Sequence, residues 1–177
     1  MSKSFSLGLV LALTPGLVLA WDYEGHHAVN ELALASLPAN FPAFVLTPAA
    51  RVRIAYLAGE PDRWRNSPNT PLRHASAPDH FIDLEQVYDF GLTPATLPML
   101  RYDFVTDIVN ARTAHPDKFP PIDPDRDTAH TRAYPGFLPW TIEEQYEKLR
   151  SGFSTLAALQ SAGGTPEEIA NEEQNNI

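Results

Sequence analysis

Cysteine is absent from the 177 residues. That excludes disulfides, thiolate metal sites of the zinc-finger kind and a cysteine nucleophile. Positive charge is scarce as well: 13 Lys and Arg stand against 22 Asp and Glu, a formal net charge of −9. Such a chain has no electrostatic footprint for duplex nucleic acid, whose phosphates are gripped by clustered cations. An anionic substrate would need a local cation, which a metal ion can supply. No internal repeat or low-complexity tract is present, and apolar residues form one long run, at the amino terminus. Proline, by contrast, is abundant at 17 residues, which predicts helices separated by irregular stretches. An apolar share of 44% suits a globular chain, and the length suits one domain with a real core.

The amino-terminal run reads as a secretory leader. Lys3 supplies the positive start, apolar residues extend from Leu7 to Ala20, and Val18 and Ala20 occupy the −3 and −1 positions of a cleavage site. The run is shorter than the roughly 20 residues of a membrane span; an uncleaved anchor is the alternative. Residues 1–20 are thus expected to be removed, leaving an exported chain, periplasmic or secreted, that begins at Trp21. Lack of cysteine leans toward a bacterial source.

Beyond the leader the periodicity is helical. Val29, Leu32, Ala33 and Leu37 recur at helix spacing within residues 24–37, and Pro38 stops the run. Thr47-Pro48 is a cap followed by proline at the first helical position, opening a helix toward Gly59 and Asp62. Residues 66–78 read as loop. A helix is predicted over 100–111, and the proline-rich stretch from Pro116 to Pro139 as mostly loop. Pro139 opens a long helix with Trp140, Ile142, Tyr146, Leu149, Phe153, Leu156 and Leu159 on one face, ended by Gly163-Gly164. Thr165-Pro166-Glu167-Glu168 starts the last helix, which reaches Ile177 without a stop signal. The predicted class is all-α, a multi-helical, irregular bundle with long Pro-rich loops.

Two constellations can carry chemistry. In Trp21-Asp22-Tyr23-Glu24-Gly25-His26, cleavage would free the α-amino group of Trp21. Such an amine has a reference pKa near 8, and its neutral form, with its own carbonyl oxygen, can chelate a metal to which His26 adds a third donor. Trp21 as an apolar plug and His26 as a helix-start residue is the other reading. Asp62 and His80, eighteen residues apart, can hold a metal or form an acid/base pair. Asp62 can instead pair with Arg65, and His80 can be a satisfied core histidine. Asp83 is a candidate acceptor that orients His80. Asp123 to Asp127 echoes a calcium loop but lacks its glycine and its final glutamate; a solvated acidic loop is favoured. His74, His115 and His130 are expected in exposed loops, His130 bordering a cleft near Trp140.

The order of these motifs resembles the zinc-dependent phospholipase C and single-strand-specific nuclease superfamily. The matching stretches are Trp21 to Val29, the Ala-x-x-Ala-x-x-x-Asp-x-x-Arg segment from Ala55 to Arg65, and His80 to Glu85; Pro139 to Tyr146 and its helix resemble the bacterial members. The resemblance implies an all-helical phosphodiesterase with a three-zinc cluster. Trp21 and His26 would bind one zinc, and Asp62 and His80 another. Asp62 would also hold the attacking water, and Arg65 would neutralise phosphate charge. The substrate would be a phospholipid or single-stranded nucleic acid, with Tyr88, Phe90 or Trp64 as possible base platforms. The superfamily's later His-x-x-x-Asp helices have no counterpart here. The resemblance therefore implies that residues 21–177 are an N-terminal portion, truncated before the remaining ligands. The alternative is a secreted non-catalytic helical domain, an inactive fragment with a partial metal site.

Overall fold

A computed structural model describes residues 23–177. Among the described residues eight α-helices and three 3-10 turns form, with no strand, so the chain is all-α. The helices are α1 (Tyr23–Ala35), α2 (Pro48–Leu57), α3 (Glu60–Arg65), α4 (Thr70–Ser76), α5 (Leu84–Asp89), α6 (Arg101–Ala114), α7 (Leu138–Ser161) and α8 (Pro166–Asn175).

Four of the eight helix starts follow from side chains that satisfy the exposed first-turn amides. Thr47 accepts from Ala50 N at 3.2 Å, with Pro48 next in line. Thr165 and Glu168 form a reciprocal capping box. The same chemistry overturns two expectations. Residues 66–78 are not all loop: Asn69 accepts from Leu72 N and Pro71 supplies a pre-set φ, so α4 forms. Asp62 does not end the preceding helix either, because α2 stops at Leu57 and Glu60-Pro61 opens the separate α3.

The core is an aromatic and aliphatic knot of Val87, Phe104, Ile108, Phe137 and Trp140. Trp140 stacks on Phe104 with ring centroids 4.3 Å apart, and its indole N–H donates to Pro98 O at 3.0 Å, so the one polar atom of the ring is satisfied. The expected single apolar face of α7 is only partly buried. Trp140 and Leu156 are inside, whereas Ile142, Tyr146 and Leu149 face out.

The Pro-rich stretch is irregular, as expected, yet its end is tied down. Asp83 N donates to Pro135 O, Phe137 N to Pro78 O and Leu138 N to Phe81 O, at 2.6, 2.6 and 3.1 Å. These bonds clip residues 135–138 along residues 78–83. Gly136 permits it: its φ is +103°, and a Cβ there would stand 2.9 Å from the Phe81 ring and nearer still to the Phe81 carbonyl. Arg101 adds a side-chain tie, reaching Asp79 at 2.6 Å, Glu144 at 2.8 Å and Thr141 at 3.0 Å. The 3-10 turn Pro78–His80 is thereby fixed to the start of α7.

Candidate metal centre

Three elements converge on one carboxylate. His26 lies in the first turns of α1. One turn further on, Asn30 Nδ2 donates to Ile54 O of α2 at 2.9 Å and locks α1 to its neighbour. The chain then leaves α2, passes Gly59 and enters α3, whose first turn carries Asp62. His80 ends the 3-10 turn held by the clip described above.

Asp62 stands between the two histidines. Its Oδ2 lies 2.9 Å from His26 Nε2, and its Oδ1 lies 3.1 Å from His80 Nε2. Arg65 Nε donates to Oδ1 at 2.8 Å. The two imidazole rings stand nearly perpendicular, with centroids 6.4 Å apart. Side-chain exposures of 30%, 23% and 21% for His26, Asp62 and His80 leave the group half-buried and reachable from solvent. Burial pushes the His80 imidazole below its ordinary range, the Arg65 charge adds to the shift, Asp62 opposes it, and His26 lowers it further. The neutral imidazole is the form that ligates a metal.

The donor set fits a cation. One nitrogen from each histidine and one Asp62 oxygen lie within 4.8 Å of one another. Donor atoms around a tetrahedral zinc stand about 3.3 Å apart, from bond lengths near 2.0–2.1 Å. The present spacings of 2.9 and 3.1 Å are those of direct hydrogen bonds, and a slight opening accommodates an ion. Both Nε2 atoms would then turn a lone pair rather than a proton toward the centre. His26, Asp62 and His80 can thus hold a metal ion; a set of two imidazoles and a carboxylate suits several divalent ions.

Trp21, expected as a ligand, lies outside the described residues. Arg65 does reach the site, through Asp62. Asp83 does not serve as the expected partner of His80: its oxygens accept from Gln86 N at 3.1 Å and Gln86 Nε2 at 2.8 Å, so it caps α5. Those bonds, led by the backbone one, hold its carboxyl below the usual range. Two carboxylates of the Asp123 to Asp127 segment are spent on the backbone: Asp123 caps a 3-10 turn, and buried Asp127 accepts from Thr131 N and Arg132 N. His74 sits on α4 rather than in a loop and bonds to Ala129 O at 2.6 Å. Exposed His130 adopts φ +54° and borders a smaller cavity beside Asp79 and Tyr134. Phe90 stacks on Phe119 at 4.7 Å, and Tyr88 is exposed. Trp64 instead lines a cleft of about 530 Å³ that also touches Leu57, Pro61, His80 and Gln145.

Sequence reading missed the contact of Tyr23 with Gly59 and the bond from Asn30 to Ile54, which tie α1 to the segment from α2 to the start of α3. A glycine three residues before a candidate ligand was the available signal. The chain matches no family model, no curated protein and no solved structure.

Proposed function

We propose that the protein is an exported, zinc-dependent hydrolase of phosphodiester bonds. The observation that carries this reading is Asp62 held between His26 and His80, one carboxylate oxygen toward each imidazole. The motif resemblance supports zinc, and it adds the Trp21 amino nitrogen and carbonyl oxygen to the ligand set.

Bound zinc would neutralise phosphate charge and lower the pKa of a coordinated water toward about 7. The chain's own residues do the rest. His26 and His80 offer nitrogen lone pairs. Asp62 offers one oxygen as a ligand and orients a water with its remaining lone pairs. Arg65 keeps its Nε on Asp62 and directs its other N–H groups to a phosphate oxygen. Trp64, in the cleft that His80 also lines, offers a flat apolar wall for the remainder of a phospholipid or of a single-stranded nucleic acid. The later ligands of a three-zinc cluster have no counterpart in this sequence, so the metal set proposed for residues 21–177 is partial.

Metal analysis and hydrolysis of bis(p-nitrophenyl) phosphate by the purified exported chain test this. Expected are zinc at one or more per chain and hydrolysis that a chelator abolishes and zinc restores. Stoichiometric zinc without hydrolysis replaces the proposal with a non-catalytic metal-binding domain. Absence of bound metal overturns both.

A further inference from the structure

Tyr23 opens α1, and its ring lies against the backbone of Gly59, between α2 and α3. A Cβ at Gly59 would come within 2.9 Å of Tyr23 Cε2 and closer still to Cδ2. The ring is flanked on two sides and open to solvent elsewhere, with Tyr23 41% exposed. Tyr56 stands edge-on at 6.5 Å and His27 at 5.9 Å between centroids. Any side chain at Gly59 therefore displaces the Tyr23 ring from this seat.

Spacing gives this contact its consequence. His26 follows Tyr23 by three residues, and Asp62 follows Gly59 by three. Residues three apart on a helix share a face one turn on. A seat between Tyr23 and Gly59 thus sets the next contact along both helices, which is His26 Nε2 to Asp62 Oδ2 at 2.9 Å. Asn30 fixes the same helix to Ile54 one turn later, so α1 is held on both sides of His26.

We propose that Gly59 is a positioning residue for the metal centre: its bare Cα seats the Tyr23 ring, and that seat sets His26 against Asp62. The inference rests on the metal-binding reading above. Backbone conformation does not require glycine here, because φ −87° and ψ −6° are negative-φ values that other residues adopt in turns. Gly59 is the N-cap of α3, where alanine is the poorer residue, so the part of the loss in Gly59→Ala that Tyr23→Ala relieves is what reports the ring contact.

The test uses the full chain with Gly59→Ala, Tyr23→Ala, both together, and Tyr23→Phe. Zinc affinity is read by competition with a chromophoric chelator, site geometry by the visible spectrum of bound Co²⁺, and apo stability by urea unfolding in chelator. Residues that orient metal ligands typically shift affinity about 10–100-fold. Gly59→Ala is expected to weaken zinc by at least about 10-fold and to alter the Co²⁺ spectrum. Tyr23→Phe should bind as wild type. Adding Tyr23→Ala to Gly59→Ala should bring zinc binding back to the level of Tyr23→Ala alone, with the same non-additivity in apo unfolding. Wild-type affinity in Gly59→Ala, or strictly additive losses in the double variant, overturns the positioning role. A wild-type chain that takes up no zinc overturns the proposed function instead, and the unfolding coupling in chelator still reports on the seat.

Discussion

Replacing Asp62 by Asn separates a structural carboxylate from a metal ligand. The substitution keeps the shape of the side chain and turns one acceptor oxygen into a donor N–H₂. That donor opposes the Arg65 N–H if it takes the Oδ1 place, and in the Oδ2 place it is accommodated only if His26 turns an Nε2 lone pair toward it. On the Oδ2 side it faces His26 Nε2, and on the Oδ1 side it faces Arg65 Nε and His80 Nε2. Hydrogen bonds to charged groups contribute about 1.5–3 kcal/mol each when buried. Asp62 is 23% exposed and its partners more or less equally so, and solvent screening reduces the loss to about 1–2 kcal/mol. That is the expected cost in chelator. Zinc at a hundred times its Kd stabilises a protein that binds it by about 2.7 kcal/mol. Asp62→Asn should forgo most of that gain, so the gap between variant and wild type grows to about 4 kcal/mol in zinc. For a domain of this size each kcal/mol moves Tm by about 2–4 °C. Paired thermal melts followed by circular dichroism, with chelator and with zinc, read both gaps. An equal gap under the two conditions refutes Asp62 as a ligand. No gap in either condition refutes the hydrogen-bonded arrangement itself.

Gly136→Ala combines a positive φ with a Cβ driven into Phe81, so it should destabilise by about 2 kcal/mol or more and weaken zinc binding through His80; urea unfolding and zinc competition measure the two effects. Phe104→Ala removes a fully buried ring stacked on Trp140 and should cost about 3–5 kcal/mol, visible as a lower urea midpoint and a weaker near-ultraviolet signal from the indole. Glu168 carries a carboxyl held below its ordinary value by the backbone and side chain of Thr165. A depressed folded pKa contributes stability above the unfolded pKa near 4.5 that is lost as pH falls through the folded value. Helicity of the wild type should therefore decline over that acid range more steeply than that of Glu168→Ala, as an acid titration at 222 nm would record.

Local chemistry made most of the helices readable. Thr47-Pro48 and Thr165-Pro166-Glu167-Glu168 announce their starts because the capping atoms lie within three residues of the amides they satisfy. Asn69-Thr70-Pro71 carries the same signal in a weaker form, and the surrounding polar, proline-bearing sequence hid it. The role of Asp83 was misread for a related reason. A carboxylate three residues past His80 is equally suited to an imidazole or to the start of a helix, and only the fold shows Gln86 N in front of it. The inner and outer faces of α7 were not separable either. Ile142, Tyr146 and Leu149 follow the same period as Trp140 and Leu156, and periodicity does not say where a neighbouring element stops. For the site, motif order named His26, Asp62 and His80 as candidates but put His26 on one metal and Asp62 with His80 on another, whereas the fold brings all three into one group.

The position of the site in the chain explains why its supports were invisible to motif reading. His26, Asp62 and His80 come from three elements, each with supports of its own. α1 is held by Asn30 on Ile54 and by Tyr23 on Gly59. The turn that ends in His80 is held from a distance, by backbone bonds to residues 135–138 and by Arg101 bridging Asp79 to Glu144 on α7. Each support is a backbone carbonyl, a bare Cα or a charge pair more than twenty residues away in sequence, which no local pattern encodes. A cation at Asp62 would then bind segments that are already in place and add a cross-link between α1, α3 and the Pro78–His80 turn. In a chain without cysteine that link takes the part a disulfide plays elsewhere. It follows that apo protein should keep its helices in chelator while the amides of the first turns of α1 and α3 exchange faster than those of α6, and that zinc should slow the former selectively. Uniform slowing across α6 and α7 on adding zinc would mean that the metal folds the whole domain rather than closing a prebuilt site.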